Sequence, residues 1–263
     1  MFKRELKVNF KSFLIWTLII IAFYSVVFLV YPSIINGEEV ESLNEMMKAF
    51  PEDLLKAFNM DLASIDSAYG WLKSEGFVFI LLIIGCYAGI LGSNILLKEE
   101  NDKTIEYLGT MPIKRKNIVL SKALVGVIYI ILTTIAIGIF NYIGLDLSGD
   151  FDKKQYILLS ITPILSSLPI FFICMFLSTF TNKTKKMLGA SLGFVLLSYA
   201  LNTLSSLSKN VEFLKYFSVF TLSDIRNVII NISININMII ISLLICIIFI
   251  TVTIIRYNRK ELV

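Results

Sequence analysis

Histidine is absent from all 263 residues. Its absence removes imidazole acid–base catalysis, Ser-His-Asp triads and most zinc sites. Cysteine is scarce, and Cys86, Cys174 and Cys246 stand far apart, each inside an apolar run. That spacing makes neither a disulfide framework nor a metal-ligand set, and it reads as buried free thiols. Charge is low, at 17% of residues against about 25% in an average soluble domain. Signature motifs are missing too: there is no H-E-x-x-H, no G-x-S-x-G and no G-x-x-x-x-G-K-[ST] nucleotide loop. The chain has no recognisable catalytic constellation, and any energy it spends must come from another polypeptide.

What is abundant is apolar surface. Hydrophobic residues make up 56% of the chain, more than a water-soluble protein of this length could cover and far more than a disordered one carries. A helix crossing the ~30 Å hydrocarbon layer needs roughly 20 apolar residues. Six stretches qualify, at 13–31, 77–97, 123–143, 156–180, 187–207 and 238–255. Barrel strands alternate polar and apolar residues over about ten positions, which nothing here does. The chain therefore reads as an all-α integral membrane protein of six transmembrane helices. Pro163 and Pro169 predict a kink or break in the fourth, tolerated where neighbours satisfy the freed carbonyls.

The distribution of charge gives the orientation. Sixteen Lys and Arg fall in the N-terminus, the 98–122 and 181–186 loops and the C-terminus, against eight on the other side. The two sides carry +10 and −6. Both termini are expected in the cytoplasm, and the positive balance needs no nucleic-acid partner. Apart from Lys122 near an expected cytoplasmic end, the spans hold no acidic or basic residue in their cores. Ion-coupled carriers usually keep such groups at mid-membrane.

The loops carry the remaining signals. Phe2, Leu6, Phe10 and Phe13 share one helical face, with Lys3, Arg4, Lys7 and Lys11 on the remainder. This reads either as an interfacial elbow helix turning into the first span or as a plain positive-inside anchor. The outer segment 32–76 is acidic and reads as one or two short amphipathic helices. In the 98–117 loop, Glu99 and Lys103 are spaced i, i+4 in the favourable order, Gly109 is a helix stop and Pro112 forbids continuation. Small-xxx-small spacing at Gly85/Gly89 and Gly189/Gly193 permits close helix approach, for packing within the bundle or at a dimer seam.

These fragments, in their order and spacing, resemble the permease subunits of type-2 ABC transporters, the exporter and multidrug or antimicrobial-peptide resistance class common in Gram-positive bacteria. The resemblance covers essentially the whole chain. It runs from Arg4-Glu5-Leu6-Lys7 through Phe50–Phe58 and Lys98-Glu99-Glu100 to Pro112-Ile113-Lys114-Arg115, Lys122 and the Arg256–Leu262 ending. It implies a multi-pass protein of the bacterial cell membrane with an elbow helix and a short cytoplasmic coupling helix. By carry-over, Glu99, Glu100, Lys103, Thr104, Glu106, Tyr107, Pro112 and Arg115 would couple to the ATPase. Two ATP-binding subunits would hold ATP and Mg, so this chain would bind no cofactor of its own. A second permease copy, identical or a sister chain, and membrane lipid complete the implied partners. The long connection 209–237 departs from a simple hairpin, and 213–230 is a candidate re-entrant stretch. A stand-alone secondary carrier and a non-transporting immunity or sensory protein are the alternatives.

Overall fold

The computed structural model describes residues 1–35, 67–101, 114–207 and 209–260. It is all-α, with no strand among the described residues. Six helical segments are long and apolar enough to cross a membrane: Phe2–Leu29, Phe77–Glu100, Arg115–Ser148, Lys153–Phe180, Thr184–Leu207 and Ile236–Arg259. The second lies at the centre, with 72% of its most apolar window buried, against 17% in the first and last and 22% in the fifth. Its main neighbour is the second half of the fourth span, with the fifth span alongside. The outer spans present Leu, Ile and Phe outward, among them Leu29, Ile139, Leu197 and Ile247. In water that surface would drive association; in a bilayer it is the lipid face.

The N-terminal segment differs from a separate elbow. Phe2–Ile35 is one continuous helix of 34 residues. No Gly or Pro interrupts it before Pro32, and its first turns are tied to the third span. Tyr129 donates its hydroxyl to Leu6 O at 2.5 Å, and the rings of Phe13 and Tyr129 stack at 5.0 Å. The inward stripe is Glu5, Asn9, Thr17, Ile20 and Tyr24, while Phe2 and Phe10 face outward. Polar contacts at the bundle side hold the start of this helix against the third span.

The fourth span is broken where its prolines predict. Helix Lys153–Ile161 ends, Thr162 caps it, and helix Pro163–Leu177 continues with Pro169 inside. Pro169 has no N–H for Leu165 O. Ser242 of the last span supplies the missing donor, its Oγ lying 2.8 Å from that carbonyl. Thr162 O is held by Ser223 Oγ at 2.8 Å, and Ser223 also donates to or accepts from Ser166 Oγ at the same distance. Neighbouring hydroxyls thus satisfy backbone groups that lipid could not.

The connection before the last span contains the 3₁₀ segments Lys209–Phe217 and Val219–Leu222 and the helix Ile225–Asn231. Phe220, Leu222, Ile225 and Val228 are buried. Phe220 meets the second span at Gly85, where an added Cβ would come within 2.8 Å of its ring. Gly85 lies eight residues past Phe77, about 12 Å along the helix, so this connection dips into the bundle. It ends on Ile232, whose φ of 47° is left-handed, an unusual conformation for a β-branched residue.

Candidate functional site

The start of the first span, the end of the second and the start of the third converge on a buried charge cluster. Lys122 lies in the second turn of the third span and is fully buried. A buried ammonium requires partners. Its Nζ donates to both carboxylate oxygens of Glu99 at 2.7 Å, to Ile95 O at 2.5 Å and to Glu5 Oε2 at 3.4 Å. One cation therefore joins the first, second and third spans. Glu5 and Glu99 are 2% and 5% exposed, so water does little to screen the pair.

A second cluster adjoins it. Lys260 Nζ bonds Glu100 Oε1 and Oε2 at 2.8 and 3.0 Å and Thr181 O at 3.2 Å. Arg115 Nη1 donates to Lys260 O at 2.8 Å, Asn258 O at 3.2 Å and Tyr257 O at 3.4 Å. The last carbonyls of a helix have no intrahelical donor, and a cation there also meets the negative end of the dipole. Arg115 thus caps the last span from the third. Arg256 stacks over Phe180, 3.8 Å from the ring centre, which fixes the last span to the end of the fourth. Tyr257 is buried beside these charges, its hydroxyl without a hydrogen-bond partner.

Of the residues singled out from sequence, Glu99, Glu100 and Arg115 come together here. Lys103, Thr104, Glu106, Tyr107 and Pro112 lie outside the described residues, as does the proposed coupling helix. Three described side chains flanking 102–113 turn inward, while Lys114 and Lys116 are exposed: Glu99 and Glu100 grip lysines of the same chain, and Arg115 grips the last helix. Gly85 and Gly89 face the bundle, toward Phe220 and Val195. At Gly189 and Gly193 an added Cβ would meet nothing among the described residues within 4 Å.

Sequence reasoning missed Glu5, Arg256 and Lys260 as members of this assembly. Two signals pointed to Glu5, and none to Arg256 or Lys260. Glu5 is the one acid among four basic residues at the N-terminus, where the topology bias favours cations. Lys122 stands alone in an apolar run, and such a residue needs a counter-charge from elsewhere.

At the opposite end of the bundle, a cleft of about 200 Å³ opens between the start of the second span, the C-terminal end of the fifth and the dipping connection. Asn202, Thr221, Asp224, Lys215 and Arg226 line it. Lys215 pairs with Glu212 at 2.6 Å, which raises its pKa above the ordinary lysine value.

The described geometry is that of a membrane domain whose span ends on the side of both termini are bound together by ion pairs flanking residues 102–113. No curated protein matches the chain. A family model described as "ABC-2 family transporter protein" matches residues 1–262. The chain therefore belongs to the ABC-2 transporter family, as a multi-pass membrane component of an ABC transporter and not its catalytic part.

Proposed function

We propose that this chain is the permease of an ATP-driven exporter and that the 98–117 loop is where it engages separate ATP-binding subunits. The observation that carries the reading is the anchoring of both sides of 102–113. Glu99 and Glu100 before it, and Arg115 and Lys122 after it, are held by the body of the protein. A contact element can deliver force only if its attachment does not yield.

In this reading ATP and Mg bind the partner subunits, and closure of the ATPase pair moves the loops of two permease copies. The copies are identical or sister chains, pairing through surfaces that include Gly189 and Gly193. Both termini face the cytoplasm of a bacterial cell, following the basic bias of that side. The cargo is a peptide antibiotic, a lipid or a small drug, and the direction is outward. The absence of acidic and basic residues from the span cores favours this over a stand-alone ion-coupled carrier.

Placing proline at Glu106 tests the assignment, because it breaks any helix in the loop without touching the anchors. Normal membrane levels of E106P with loss of the co-purifying ATP-binding subunit, or of transport, support the reading. Unchanged transport with an unchanged complex would overturn it.

A further inference from the structure

The last span is held at both ends by contacts that loop docking alone does not require. At its cytoplasmic end Arg115 caps the carbonyls of Asn258 and Lys260, and Glu100 binds the Lys260 ammonium. Arg115 and Glu100 flank 102–113 in sequence, one on each side. Toward the outer end, Ser242 Oγ donates to Leu165 O at 2.8 Å. That carbonyl is the one Pro169 leaves without a helical donor.

Between these grips the helix Ile236–Arg259 has neither Gly nor Pro, so nothing in it favours a kink. Ser242 and Lys260 are eighteen positions apart, about 27 Å of straight helix. The far grip falls on the least regular part of the membrane domain. The fourth span breaks at Thr162; its Leu165 carbonyl is held by the Ser242 hydroxyl, and its Thr162 carbonyl by the Ser223 hydroxyl beside the Leu165 N–H. Side-chain hydroxyls can exchange acceptors by rotating about one bond, whereas a helical ladder must unwind. The break is thus an element able to take a second packing while its neighbours stay intact.

We infer that the last helix is a transmission rod that carries displacement of the span ends at Glu100 and Arg115 to the proline-broken fourth span. Arg115 and Glu100 are positioning residues at its driven end, and Ser242 is the positioning residue at its delivering end. The inference rests on the reading of the 98–117 loop as the contact for the ATP-binding subunit.

The experiment uses the complex of this chain with its ATP-binding subunit in nanodiscs. Amide hydrogen exchange is followed over residues 158–170, with and without a non-hydrolysable ATP analogue and Mg²⁺. In the wild type the analogue changes exchange across the break. K260E reduces that nucleotide-dependent change at least fivefold, the charge swap E100K/K260E restores it, S242A reduces it, and S242T keeps it. The double variant P169A/S242A discriminates most sharply. It gives Leu165 O a helical donor again, so a purely structural serine predicts full recovery, whereas a transmission role predicts an intact fold that still fails to respond.

In all these variants the ATP-binding subunit stays bound. A response that survives K260E and S242A, or returns in P169A/S242A, overturns the rod while leaving the loop assignment standing. A wild-type chain that retains no ATP-binding subunit overturns both.

Discussion

Lys122 Nζ lies 2.7 Å from both carboxylate oxygens of Glu99, and the lysine has no exposure to solvent. The two residues sit on opposite sides of the 102–113 segment, so the ion pair closes the base of that loop. Glu5 joins from the first helix at 3.4 Å. Replacing Lys122 with Met leaves two buried carboxylates facing each other. Breaking a buried ion pair from one side costs about 3–5 kcal/mol. Thermal unfolding in detergent should show K122M strongly destabilised, with E5Q/E99Q/K122M recovering most of the loss. Equal unfolding of K122M and the wild type would show that the pair does not hold the loop's base.

Much of this architecture is legible in sequence, and the exceptions share a cause. Span number and the proline break follow from apolar run length and from a missing N–H, both local properties of the chain. The packing of the first helix start is not local: the spacing of Phe2, Leu6, Phe10 and Phe13 resembles an interfacial segment, but the contacts that hold it reach Lys122 and Tyr129, more than a hundred residues away. Arg115 and Glu100 lie in a stretch that sequence reading marks as important. Their engagement of Lys260 and the last helix end depends on which helix ends become neighbours, and periodicity does not encode that.

The fourth span gives a test of how its break is compensated. S242A removes the donor to Leu165 O and should lower stability by about 1 kcal/mol, in line with hydrogen bonds between membrane helices. Adding P169A should return that stability, because the backbone N–H then replaces the serine. Denaturant unfolding of the single and double variants reads the difference. Additive losses would mean that Ser242 and Pro169 act on different groups.

Two kinds of glycine should behave oppositely. At Gly92 an added Cβ would collide with the backbone oxygen of Phe171, which cannot move without shifting the fourth span. Overpacking of that kind costs about 1–3 kcal/mol, so G92A should unfold earlier. G189A and G193A meet nothing among the described residues within 4 Å and should leave the single chain as stable as the wild type. Chemical cross-linking in the membrane then reports on a second copy: reduced dimer yield in G189L/G193L places the seam there, and an unchanged yield excludes it.

Ile232 offers a gain in stability. It holds the left-handed conformation at the end of helix Ile225–Asn231, where an L-residue with a branched Cβ is disfavoured by about 1–2 kcal/mol. I232G or I232N should raise the melting temperature without affecting insertion. A lower melting temperature would mean that packing of the isoleucine side chain outweighs its backbone cost.

The most direct measurement is purification of the tagged chain, expressed from its native operon, into nanodiscs, followed by an ATPase assay. The account predicts that a soluble ATP-binding subunit comes with it, that the complex hydrolyses ATP, and that E106P releases that subunit from a still-folded membrane domain. A chain that purifies alone in folded form, with no ATP hydrolysis, would contradict it.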